Sequence, residues 1–403
     1  MTAKSKLKKT NVKISSKYQF PLRQRNHYEL LIDGENYFPA ILNDINQAHK
    51  FIYIEMYLVS SGKICSQFID ALSKAVARGV KVFTLFDHHG SKDFSQQDVR
   101  RLDSANINFA WYNPVKVMQL RASLHRNHRK IIVIDGAIAW TGGTGITDSF
   151  AYNKDPSQYW HESMIRIQGK CVQDWQKLFE QVWSRWSTCI LPSIDVENSQ
   201  LLDQSSESYS QQGRVVSSSA IYSSEVRRSL LTKIRGANKR IWLATAYFVP
   251  SRKLRKSLMK AAKRGVDVRI MLPGPITDLS SVRYMARRYY AKLLKHGIRI
   301  YEYQKRFIHA KYSIVDHWVS NGSSNLDVWN LVWNLDANQE MFDTNIAAMH
   351  EKMFLHDMES SHCFTLIEWK KRSWWSRVWE YFWGRVRGGL AWFSRREALR
   401  HHH

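Results

Sequence analysis

The sequence has only four cysteines in 403 residues, Cys65, Cys171, Cys189 and Cys363, and no two of them form a Cys-x-x-Cys pair. That scatter argues against a metal knuckle and against a disulfide framework. No metal ligand set and no cofactor is expected, and a reducing compartment fits. No stretch of about 18 uncharged apolar residues occurs, which argues against a membrane-spanning helix. The first twenty residues lack the apolar run of a signal peptide. Acidic residues are scarce: Asp+Glu 35 against Lys+Arg 60 leaves a formal charge of +25. Such a surplus attracts polyanions, so nucleic acid and anionic membrane are the partner classes to weigh against a merely solvated basic surface.

What is present describes a globular chain, with 44% apolar and 24% charged residues and length for two domains or one duplicated domain. Residues 1–24 read as a basic arm. Residues 25–191 form a first unit, with a strand at Phe51–Tyr57, a helix at Ser66–Ala77 closed by Arg78-Gly79, and a strand at Val80–Asp87. A helix at Val99–Ala105 and a strand at Ile107–Tyr112 follow. Residues 192–214, rich in Ser and Gln, read as a linker. The first unit then returns over 215–362. Arg240–Phe248 answers the strand at Phe51, Leu258–Ile270 answers Ala71–Phe83, and Gly297–Tyr301 answers Asn106–Ala110. The glycines of the two Arg-Gly-Val turns, Gly79 and Gly265, lie 186 residues apart. This is duplication of a whole α/β domain, with one sheet expected in each half. Residues 363–400 form a Trp/Arg-rich tail, and His401–His403 read as the remnant of a purification tag.

One short pattern occurs at matching places in both halves. His128-Arg129-Lys130, four apolar residues and Asp135 lead to Gly142-Gly143-Thr144. His309-Ala310-Lys311, a similar run and Asp316 lead to Gly322-Ser323-Ser324-Asn325. Ile131–Ile134 and Tyr312–Val315 read as buried strands, and strand alternation puts each histidine on the same face as its lysine. Asp135 and Asp316 have the other parity and close their strands at a turn. An ammonium beside an imidazole suits work on a phosphate, because one neutralises an oxygen while the other attacks phosphorus or moves a proton. One histidine cannot be both nucleophile and acid in a single step, and two copies solve that problem if the halves meet. His125 and the pair His88-His89 are near the motifs in sequence and read as loop histidines.

These residues resemble the phospholipase D superfamily, whose signature is H-x-K-x4-D in duplicate, over roughly residues 25–360. Within it the chain is most similar to bacterial cardiolipin synthases without transmembrane helices, through Ala246–Pro250, Gly322–Asp327 and Asn334–Asn338 as well. The resemblance implies two duplicated α/β sandwich domains packed with pseudo-twofold symmetry, and a ping-pong reaction through a phosphohistidine without metal. His128 would be the nucleophile and His309 the acid and base. Lys130, Lys311 and Asn325 would hold phosphate, with Ser323 and Thr144 in support, and Asp135 and Asp316 complete the motifs. Glu162 and Asp336 match the places of acids that orient the histidine of the opposite half. Gly145 stands where an asparagine is common in the family.

The substrate class rests on other features, since relatives of this fold cut DNA as well as lipid. Trp374, Trp375, Val378, Trp379, Phe382 and Trp383, set among arginines, have the composition of an interfacial helix; a packed terminal helix is the alternative. The segment Val115–Arg121, apolar and basic, reads as a lip of the site or a packing loop. The resulting expectation is transfer of a phosphatidyl group between two phosphatidylglycerols to give cardiolipin, on the cytoplasmic face of the bacterial inner membrane. Anionic phospholipid and a membrane surface are the expected partners and nucleic acid is not. A phospholipase D-type hydrolase or a nuclease stays open as the alternative, as does a homo-oligomer.

Overall fold

A computed structural model describes residues 18–114, 125–192, 208–219, 223–327, 334–372 and 374. In the first half the strands are β1 (Arg23–Ile32), β2 (Phe51–Met56), β3 (Lys81–Asp87), β4 (Asn108–Tyr112), β5 (Arg126–Asn127), β6 (Ile131–Ile134), β7 (Ile138–Gly142) and β8 (Ser163–Gly169). Helices Gly34–Asn46, Lys63–Ala77, Gln96–Ser104 and Cys171–Trp186 run between and after them. The second half holds β9 (Gln211–Ser219), β10 (Ser223–Ser224), β11 (Arg240–Ala244), β12 (Phe248–Val249), β13 (Asp267–Pro273) and β14 (Arg299–Tyr303). It continues with β15 (Tyr312–Val315), β16 (Trp318–Gly322), β17 (Leu326–Asp327), β18 (Asn334–Phe342) and β19 (Ser361–Phe364). Its principal helices are Glu225–Gly236, Arg252–Lys263 and Thr344–Glu359.

The repeat is visible down to single hydrogen bonds. Gly79 and Gly265, both at φ 92°, end the helices Lys63–Ala77 and Arg252–Lys263. Val80 N–H reaches back to the Ala75 carbonyl and Val266 N–H to that of Ala261, at 3.1 and 3.2 Å. This closure needs a left-handed residue, which glycine adopts without a Cβ penalty.

The halves are not two separate sheets as their sequences suggest. Strand pairing runs continuously in the order β4-β3-β2-β6-β7-β8-β1-β9-β18-β16-β15-β11-β13-β14-β19. The join is β1 against β9, the strand that opens each half. One apolar core is also shared: Tyr53, Ile131 and Trp175 of the first half pack in the same cluster as Trp242, Tyr312 and Phe354 of the second. Separate clusters lie under the outer helices of each half. Burial on both faces explains why β2, β6 and β15 are apolar almost throughout rather than alternating.

Three boundaries shift for the same reason, namely that edge segments find partners. β1 starts inside the expected arm, and Phe20 before it is buried. β9 starts inside the expected linker. The expected tail begins with β19, paired to β14, and a short helix Leu366–Lys370.

Candidate active site

The motif strands β6 and β15 are fully buried, but each histidine and lysine precedes its strand rather than lying in it. The expected pairing of each histidine with its lysine on one face nevertheless holds: Lys311 reaches the His309 ring, and His128 and Lys130 both face the Tyr57 ring. Each lysine also folds back onto its own motif: Lys130 Nζ donates to the His128 carbonyl at 2.6 Å, and Lys311 Nζ donates to that of His309.

Backbone pairing across the halves brings the acids in. β5 runs parallel to the start of β18, and His128 N–H donates to the Leu335 carbonyl at 2.9 Å. In the mirrored place His161 bridges Ile308, and its carbonyl accepts from His309 N–H at 2.8 Å and Ala310 N–H at 3.1 Å. The residue after each of these carbonyls is the acid. Asp336 Oδ1 thus lies 3.0 Å from His128 Nδ1, and Glu162 Oε2 lies 2.8 Å from His309 Nδ1. A carboxylate accepts only from Nδ1–H, which leaves Nε2 of each ring for chemistry.

All six groups are buried. Desolvation pushes His128 down to about 4, with Lys130 next in effect, and pushes His309 down to about 3, with Lys311 next. Burial also lowers both lysines, each of which bears on the other site: Lys311 lowers Lys130 further. Glu162 is held below its ordinary value although burial opposes this, because Lys311 and His309 favour its charge. Lys311 Nζ sits 2.9 and 3.1 Å from the two ring nitrogens of His309 and 3.5 Å from Glu162. A phosphodiester monoanion placed between the lysines opposes these effects and favours the protonated form of an imidazole.

The turns after the motifs differ. In the second half Ser323 Oγ donates to Asp336 Oδ1 at 2.8 Å. Asn325 is fully buried, and among the described residues neither its amide atoms nor Asp336 Oδ2 has a hydrogen-bond partner. In the first half a Cβ on Gly143 would fall on the Glu162 carboxylate. A Cβ on Gly145 would meet the Leu58 carbonyl at 2.5 Å, so the expected asparagine has no room there. Thr144 Oγ1 donates to Tyr37 Oη at 3.1 Å.

Residues 41–183 and 230–358 match the family described as "Cardiolipin synthase, PLD-like domain". The chain belongs to that family. A cardiolipin synthase of Clostridium perfringens is 31% identical over 89% of this chain and 75% of its own length. A probable cardiolipin synthase of Bacillus subtilis is 29% identical over 87% and 70%. Among solved structures, phosphatidylserine synthase of Haemophilus influenzae superposes with a TM-score of 0.68 at 13% identity, over 92% of this chain and 94% of that one. Polyphosphate kinase of Porphyromonas gingivalis gives 0.57 at 13% identity, over 85% and 49%. The enzyme thus has the phospholipase D fold.

Asp135 and Asp316 lie at the far end of the motif strands from the histidines, roughly 13 Å of strand away. Asp135 accepts from the N–H groups of His49, Lys50 and Phe51, and Asp316 from those of Asn238, Lys239 and Arg240. Each caps the start of the neighbouring strand, at φ 55° and 53°. His88 packs edge-on to Trp111, with ring centroids 5.1 Å apart. Val115–Arg121, Trp375, Val378, Trp379, Phe382 and Trp383 lie outside the described residues. Trp374 is exposed. Trp369, first of the tail tryptophans, is instead buried against Tyr290 and Phe364. Among the described residues no helix is long and apolar enough to cross a membrane.

Several neighbours escaped sequence reasoning. Tyr57 packs edge-on to His128 at 4.8 Å, and Phe150, Trp160 and Phe307 surround His309 at 5.4, 5.1 and 5.6 Å. Leu335 stands where His161 stands in the other half, so the repeat could not single out His161.

Proposed function

We propose that the enzyme makes cardiolipin from two phosphatidylglycerols. The single observation that carries this reading is the crossed pair of histidine–carboxylate bonds, His128–Asp336 and His309–Glu162, closing on two buried lysines. His128 Nε2 attacks phosphorus, the bond from phosphorus to the glycerol oxygen breaks, and protonated His309 gives its proton to the departing alcohol. A hydroxyl of the second lipid then loses its proton to His309 and attacks phosphorus. The phosphorus–nitrogen bond breaks and neutral His128 returns. Asp336 and Glu162 keep each ring in the Nδ1–H form and stabilise the imidazolium that forms on either. Lys130, Lys311 and the Asn325 amide hold the phosphate oxygens, where charge-assisted donors act most strongly in a dry site.

The donor and acceptor are both membrane lipids, and the +25 charge and Trp374 support a peripheral position on an anionic surface. A basic residue near such a surface contributes roughly 1 kcal/mol. Incubation with phosphatidylglycerol vesicles followed by lipid analysis tests the whole reading. Cardiolipin plus free glycerol is the expected product. Phosphatidic acid alone would replace it with a hydrolase, and DNA cleavage without lipid turnover with a nuclease. Flotation of a chain ending at Arg372 tests the tail: unchanged vesicle binding would remove it from the membrane contact.

A further inference from the structure

We propose that His161 is a positioning residue for the acid/base histidine, acting as a charged bolt between the two halves. The inference rests on the reading of His309 as the group that protonates the leaving alcohol. His161 is buried, and each ring nitrogen faces a carboxylate: Nδ1 lies 2.8 Å from Asp33 Oδ1, with an Arg306 guanidinium nitrogen 3.2 Å away, and Nε2 lies 3.2 Å from Asp357 Oδ2. Asp33 comes from the first half, immediately before its first helix, and Asp357 from the last turns of the helix Thr344–Glu359 in the second. Arg306 binds Asp33 as well, and Tyr303 stacks on the His161 ring with centroids 5.6 Å apart. Burial disfavours the imidazolium, but Asp357 and Asp33 together outweigh it and raise His161 well above its ordinary value. The network is therefore two carboxylates balanced by one imidazolium and one guanidinium.

The same residue holds the site through its backbone. Its N–H donates to the Phe307 carbonyl at 2.8 Å, and its carbonyl accepts from both His309 and Ala310. The next residue, Glu162, orients the His309 ring. Movement of His161 would thus shift the His309 backbone and its orienting carboxylate together.

The mirrored place in the other half argues that stability alone does not require this charge. There Leu335 supplies the carbonyl for His128 N–H, with no ionisable side chain. Burying four charged groups is a costly way to join two elements, and apolar side chains of similar size commonly do as well. What a closed ionic network adds is one fixed geometry. The histidine that must deliver and retrieve a proton has it alongside, and the histidine assigned to nucleophilic attack does not.

The test compares two donor lipids, phosphatidylglycerol and its p-nitrophenyl counterpart, whose leaving group needs no proton. In His161→Leu, which copies the second half, glycerol release should fall at least about tenfold further than nitrophenol release, with KM little changed. His161→Arg, which keeps a charge and two donors, should restore most of the difference. Equal slowing of both donors, or none, overturns the proposal. If His161→Leu does not fold, Asp357→Asn removes one anchor with little change of shape and decides by the same ratio. Wild-type enzyme that cleaves the nitrophenyl lipid but makes no cardiolipin would instead refute the proposed function, and the variants would still report on His161.

Discussion

Gly143 leaves room for the Glu162 carboxylate, which occupies the space a side chain at 143 would need. At the corresponding turn of the second half Ser323 is present, the acid is the shorter Asp336, and the two are hydrogen-bonded. Gly with Glu and Ser with Asp are two solutions to one packing problem. Gly143→Ser should therefore displace Glu162 and lower kcat for cardiolipin about a hundredfold, the scale of a displacement near 1 Å. The double variant Gly143→Ser with Glu162→Asp should recover at least about tenfold of that loss. Steady-state rates on protein of verified fold decide it, and a double variant no better than the single one would refute the compensation.

His128→Ala and His309→Ala should each lower turnover by about a thousandfold or more, since nucleophile and acid/base act in series. In His309→Ala the phosphatidyl group should remain on the enzyme when the donor has a good leaving group. Peptide mapping by mass spectrometry should find it on His128. Label on His309 in the reciprocal variant would exchange the two roles.

Both histidines are neutral at pH 7 in the free enzyme, at about 4 and about 3. An anion placed between Lys130 and Lys311 raises them, and protonation of the leaving alcohol calls for one proton on His309. A phosphonate analogue of the diester headgroup, whose own charge does not titrate near neutrality, should bind with uptake of one proton. Its affinity should then fall about tenfold per unit rise in pH. Calorimetry in buffers of different ionisation heat counts the proton, and a count near zero would mean that His309 is not charged by substrate binding.

Asp316 belongs to stability rather than chemistry. Burial would raise its carboxyl, but the N–H groups of Arg240, Asn238 and Lys239 outweigh that and hold it low. Its contribution is present above the ordinary carboxylate value of about 4 and is lost as pH falls through the lower folded value. Asp316→Ala should cost about 0.5–2 kcal/mol, like the loss of other side-chain caps, and leave kcat of the folded protein within about threefold. Thermal melts from pH 7 down to 3 should converge for the two proteins at the acid end. A selective loss of kcat would return Asp316 to the catalytic machinery.

The elements and the duplication are written in the local residue pattern. Buried strands such as Ile131–Ile134 are legible because both faces are covered and every residue is apolar, and the Gly79 and Gly265 turns because only glycine takes that backbone cheaply. Histidine, lysine and acid were legible as residue types at repeated spacing. What the sequence does not carry is which chain segments lie side by side across the halves. Pairing of β5 with β18, and of His161 with Ile308, decides that Asp336 meets His128 and Glu162 meets His309. Pairing of β1 with β9 merges two sheets into one. The room at Gly143 and Gly145, the turning of Thr144 toward Tyr37, and the ionic bolt at His161 are likewise consequences of packing between residues far apart in the chain. Local patterns report a residue's own burial and backbone preference; the identity of a distant neighbour is set only when the two halves close on each other.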